Sequence, residues 1–152
     1  MANYRADTLG TNSAFMDNGG AATTEIGIVT QTVNLLITDV VDLVRVAGGT
    51  KLCELLVWNG DLDTGATLQF SLGYRKCNTG GVLADNLTYF AAAGQTTWQS
   101  AVLGSAPTRY AFVPITFNED VFITATIGAS AAGIAASPTI TAMASGIARG
   151  IK

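Results

Sequence analysis

An all-β fold, an antiparallel β-sandwich of jelly-roll type with one short helical insertion, is what this sequence predicts. Three features lead to it. Short runs rich in β-branched and aromatic residues recur along the chain, several of them alternating apolar and polar side chains with the period of a half-buried strand. Glycine, asparagine, aspartate and proline punctuate the intervals between those runs, and only one stretch carries helical spacing. The 152 residues suit a single domain, long enough to bury a core without disulfides or metal.

Residues 1–24 are polar and glycine-containing, with no sustained period, and read as an extended amino-terminal arm. The sandwich domain is expected over 25–147 and a short basic tail over 148–152. Glu25 to Leu36 is a strand candidate. Ile37 to Val46 is a second after a break near Asp39; a short helix also fits its spacing, but the density of β-branched residues favours the strand. Lys51 to Trp58 and Thr67 to Tyr74 flank a Gly/Asp-rich turn and predict a long antiparallel hairpin.

In the second of those strands Leu68, Phe70, Leu72 and Tyr74 share one face, which points into the core. The first strand has apolar residues on both faces. Placing Cys53, Leu55 and Val57 inside avoids burying the Glu54 carboxylate, which unpaired would cost several kcal/mol. Leu52, Leu56 and Trp58 then face outward, either as a subunit interface or beneath another part of the same chain.

Val82 to Ala93 is the helical patch, with Asp85 as N-cap and Gly94 as stop, and 96–103 adds a further turn that sets Trp98 against the core. Strands resume at Thr108 to Val113, Ile115 to Phe117, Val121 to Ile127 and Pro138 to Ile147, giving about seven to nine in all.

Composition narrows the function. Only 12% of residues are charged and mean hydropathy is +0.37, so something besides water is expected to cover part of the surface. Net charge is −3 and the eight Lys and Arg are scattered, which gives no field for nucleic acid. Histidine is absent, removing the commonest general base and metal ligand, and no nucleophile–base pair stands out; neither an enzyme nor a cofactor is expected. In a hairpin register, Cys77 overshoots the residues opposite Cys53 by more than the roughly 7 Å that a disulfide spans, so two free thiols are expected, as in a reducing cytoplasm. The start MANYRADTLG lacks the apolar core of a signal peptide.

Several motifs have simpler explanations. The charge-free stretch Val121 to Ala148 is diluted by Thr, Ser, Pro and three glycines, and reads as two strands and a loop rather than a membrane span. Asp63, Thr64, Gly65 and Ala66 spell the string of an aspartic protease but lack the apolar residues that precede it there; a turn explains them. Asn59, Asp61 and Asp63 begin like a calcium loop, yet Thr64 stands where glycine belongs and Phe70 where the bidentate Glu belongs. Tyr74, Tyr89, Phe90, Trp98 and Tyr110 could line a sugar-binding face or simply fill a core.

In layout the chain resembles the small decoration, or cement, proteins of tailed-bacteriophage capsids. The resemblance rests on a Gly/Thr-rich arm, the strand VDLVRVAGGTKLCELLV, the turn DLDTGATL leading to LGY, Tyr89 and Phe90, and the late strand FNEDVFITATIG before an Ala/Gly-rich close. It implies a structural virion protein on the outer capsid surface, made in the host cytoplasm, which bridges neighbouring major capsid subunits. Its partners would be the major capsid protein and further copies of itself as a dimer or trimer, with no nucleic acid and no membrane. A carbohydrate-binding module of a fibre or adhesin, or a tail or neck protein, is the alternative.

Overall fold

The computed structural model describes residues 3–5, 8–9, 22–99, 106–135 and 137–148. Among the described residues eleven strands follow one another: β1 (Asn3–Arg5), β2 (Thr8–Leu9), β3 (Ala22–Thr30), β4 (Val40–Val46), β5 (Thr50–Asn59), β6 (Gln69–Lys76), β7 (Asn86–Gln95), β8 (Thr108–Tyr110), β9 (Ile115–Thr116), β10 (Val121–Ala129) and β11 (Thr139–Ala148). They form two sheets. One runs β1-β4-β10-β6-β7 and the other β2-β3-β11-β5-β8, with β9 also on β5. Every long pairing is antiparallel, and only the short β1 lies parallel to its neighbour β4.

From β3 onward the chain changes sheet at each step except between β6 and β7, and between β8 and β9. The resulting pair of interleaved four-strand sheets, β3-β11-β5-β8 against β4-β10-β6-β7, is jelly-roll connectivity. Between the sheets lies one continuous core that includes Val41, Leu43, Leu55, Val57, Phe70, Leu72, Ile123 and Ile140.

Four expectations are corrected. β5 and β6 are not a hairpin: β5 pairs with β11, β8 and β9, whereas β6 pairs with β10 and β7 in the opposite sheet. The connection of residues 60–68 is long enough to cross the roughly 10 Å between sheets and buries Leu62 and Leu68 on the way. Leu55 and Val57 therefore meet Phe70 and Leu72 across the core rather than edge to edge. Both cysteines are free, although the hairpin register used to separate them does not exist.

The second correction concerns Val82 to Ala93, which is not helical; Asn86–Gln95 is the edge strand β7. Without it, the outer edge of β6 would present unpaired N–H and C=O groups, and the run Thr88, Tyr89, Phe90 suits a strand. Wide bulges in this pairing, where Leu72 meets Ala91 but Tyr74 meets Asn86, blurred the alternation. Asp85 caps no helix: its Oδ1 accepts the Lys76 N–H at 2.8 Å. Among the described residues the helical element is a single 3-10 turn, Thr97–Gln99, which buries Trp98 and stacks it on Phe70 with ring centroids 4.0 Å apart.

The third correction is at Leu52, which is 1% exposed and belongs to the core, while Cys53 is exposed. Pairing of β5 with β11 slips between Ser145, opposite Glu54, and Gly146, opposite Leu52, so Cys53 is the extra residue of a β-bulge. One inserted residue reverses the inside–outside phase, and Leu52 joins Leu55 and Val57.

Finally, β3 begins at Ala22, and Asn3–Arg5 and Thr8–Leu9 within the expected arm pair with β4 and β3 of their own chain. The remaining residues of that arm up to 21, and 149–152 of the tail, lie outside the described residues. The charge-free stretch 121–148 supplies β10, a loop and β11, and among the described residues no helix is long and apolar enough to cross a membrane.

Candidate assembly surface

The outward faces of the two sheets differ in chemistry. On the β4-β10-β6 side a polar network lies at the centre: Arg75 reaches Asp42 with Nε–Oδ1 at 2.8 Å and Nη2–Oδ2 at 2.5 Å, and Thr124 Oγ1 donates to Asp42 Oδ1 at 3.1 Å. The Arg75 guanidinium also lies 5.6 Å from the centre of the Phe122 ring.

The β3-β11-β5 side is open and apolar. Register places Ile26 beside Met143 and Met143 beside Leu56, and one pleat further Ile28 beside Thr141 and Thr141 beside Trp58. Ile26 is 46% and Ile28 37% exposed, and Leu56, Trp58, Thr141 and Met143 are half-buried. A shallow depression of about 260 Å³ opens between Ile26, Trp58, Thr141 and Met143. At its margin Arg109 Nη2 pairs with Glu54 Oε1 at 3.2 Å. Two of the three expected outward residues, Leu56 and Trp58, thus lie together on this face.

Ile26, Ile28 and Met143 escaped the sequence reading, because a strand reading EIGIV naturally turns its isoleucines inward. Gly27 prevents that. A Cβ on Gly27 would overlap the Leu43 carbonyl oxygen of β4, so this position must face the other sheet without a side chain. Glu25, Gly27 and Val29 consequently point in and Ile26 and Ile28 point out. Burial raises the Glu25 pKa above its ordinary value, and nearby Arg45 offsets part of the effect.

The Asp63 string is structural. Oδ1 accepts the N–H groups of Gly65 at 3.0 Å and Ala132 at 2.8 Å, and Oδ2 accepts the N–H groups of Thr67 and Leu68 and the Thr67 hydroxyl. Burial pushes the Asp63 pKa up, but the donors from Leu68, Ala132, Gly65 and Thr67 outweigh it and hold it at about 2. Asp61 Oδ1 is likewise engaged, by the Asp63 N–H at 3.2 Å. No group of three or more acidic or thiol side chains is placed to hold a metal among the described residues.

Of the five aromatics that could line a sugar-binding face, Tyr74, Phe90, Trp98 and Tyr110 are buried, and Tyr89 is half-buried, packed edge-to-face on Tyr74 with its hydroxyl donating to the Val113 carbonyl at 2.8 Å.

The fold has close counterparts among solved structures. A chain in the capsid of Ralstonia phage GP4 superposes with a TM-score of 0.68 at 18% identity, covering 99% of this chain and 100% of that one. A chain of the cyanophage Pam1 capsid asymmetric unit gives 0.61 at 16%, covering 93% and 97%. A chain of the acid-stable capsid of Helicobacter pylori bacteriophage KHP30 gives 0.53 at 13%, covering 82% and 86%. No protein-family model and no curated protein matches. These similarities concern the fold.

Proposed function

We propose that the protein is a structural component of a phage virion that decorates the capsid exterior, bridging neighbouring major capsid subunits and associating with further copies of itself. The observation that carries this reading is the apolar outer face of Ile26, Ile28, Leu56, Trp58 and Met143 on a chain of which only 12% is charged. Contiguous apolar surface on a rigid sheet is the mark of a protein covered by neighbours. The jelly-roll architecture shared with chains from three phage capsids supports the same reading. The carbohydrate reading is less favoured, since of the aromatics expected to line a sugar face Tyr74, Phe90, Trp98 and Tyr110 are buried and only Tyr89 is half-buried.

In this reading β5 meets a sister subunit through Leu56 and Trp58, and residues 10–21 and 149–152, which flank the paired strands, tether the sandwich to adjacent shell proteins. Sedimentation tests the first part. The parent protein should run as a dimer or trimer at micromolar concentration, and Leu56→Lys with Trp58→Lys should run as a folded monomer; a monomeric parent sinks the self-association. Limited proteolysis tests the second, because cutting within the first 24 residues should slow on shells.

A further inference from the structure

Strand register sorts the outer face of the β3-β11-β5 sheet into rows. Thr24, Ser145 and Glu54 form a polar row at one end, followed by Ile26, Met143 and Leu56, then by Ile28, Thr141 and Trp58, and Thr30 beside Thr139 closes the other end. In these rows and on β8 beside them the charged residues are Glu54 and Arg109, which pair with each other. An apolar centre inside a rim of hydroxyls and an ion pair is the anatomy of a protein–protein contact.

Size decides how much of the face such a contact needs. Three strands about 4.8 Å apart and about 30 Å long present roughly 430 Å² in flat projection, to which the relief of the side chains adds. A specific dimer buries at least about 600 Å² on each partner. β5 alone supplies about a third of that projection, so β11 and β3 must share the contact.

The face is also complementary to itself. A half-turn about an axis lying along β11 in the plane of contact sets β3 of each copy over β5 of the other, with rows kept in step. Ile26 of one copy then meets Leu56 of the other, Ile28 meets Trp58, and Met143 meets its own counterpart on the axis. The depression of about 260 Å³ between Ile26, Trp58, Thr141 and Met143 is covered on both copies at once. Glu54 of one copy comes over Thr24 of the other, so the two carboxylates stay apart. Stacked in this way, the two sheets have the spacing and alignment of a β-sandwich.

We infer that two copies stack face to face about this two-fold axis as a closed dimer, with β3 of each copy seated on β5 of the other. Each copy covers the other's face completely, so the assembly stops at two and does not grow to three. The inference rests on the self-association reading above and adds to it the symmetry, the opposing strand and the copy number.

Sedimentation and thiol cross-linking of the full chain test it. The parent should run as a dimer at micromolar concentration. Ile26→Lys with Ile28→Lys, both at exposed positions of β3, should weaken dimerisation about tenfold or more, and should melt like the parent diluted to its monomeric range. In a Cys53→Ser background, a short bifunctional thiol reagent should join Met143→Cys chains to one another. A mixture of Ile26→Cys and Leu56→Cys chains should link faster than either variant alone. A trimeric parent, an Ile26/Ile28 variant that dimerises like the parent, or Met143→Cys chains that fail to link overturn the two-fold stacking and leave self-association through β5 standing. A monomeric parent overturns self-association itself, and this inference with it.

Discussion

Asp63 shows how one side chain can decide a local fold. Its carboxylate replaces water with four N–H donors and a hydroxyl, and those donors come from both its own turn and the β10–β11 connection. The folded pKa of about 2 lies below the ordinary 3.8, so the stabilisation is fully present above about pH 4 and is lost as pH falls through 2. A shift of this size corresponds to roughly 2 to 3 kcal/mol. Asp63→Asn should cost about 3 kcal/mol in urea unfolding at pH 7, with the deficit shrinking between pH 4 and pH 2; a pH-independent deficit would contradict the assignment. The cysteines differ for similarly local reasons. Cys53 stands exposed at the bulge, whereas burial pushes the half-buried Cys77 up to about 11. An aromatic disulfide reagent at pH 8 should label one thiol quickly and the other slowly, and Cys53→Ser should remove the fast phase.

At the level of the strand, β3 carries the clearest prediction. Its inside–outside phase is imposed by β4, whose Leu43 carbonyl occupies the space of a Gly27 side chain. Gly27→Ala should destabilise by about 3 kcal/mol, because the backbone of β4 cannot yield as a flexible side chain would. Thermal melting of the variant beside Val82→Ala, at a side chain 97% exposed, checks this; similar small losses in both would show that the phase is not set by this contact. The bulge at Cys53 acts in the same way on β5, returning Leu52 to the core and leaving Leu56 and Trp58 on the outer face.

For the whole molecule, the unequal sheet faces matter most. The Arg75–Asp42–Thr124 network needs no partner, whereas the β3-β11-β5 face leaves Ile26, Ile28 and Met143 against solvent in a lone subunit. If that face closes on a sister subunit, association stabilises the folded state by mass action and the melting temperature rises with protein concentration. A melting temperature constant over a hundredfold range, alongside a monomeric sedimentation profile, would argue against self-association. Leu56→Lys with Trp58→Lys should remove the concentration dependence.

The strands from β3 onward, apart from β7, their turns, the buried face of Phe70, Leu72 and Tyr74 and the turn that buries Trp98 were legible in the residues themselves. Each depends on neighbours in sequence: alternation, turn chemistry and β-branching are local properties. The pairing of β5 with β11 instead of β6, the edge strand in place of a helix at Asn86–Gln95, and the outward turn of Ile26 and Ile28 were not legible. Those depend on which backbone edges and side chains meet across long chain separations, and on a single inserted residue that reverses a strand's phase, so only the assembled sandwich decides them.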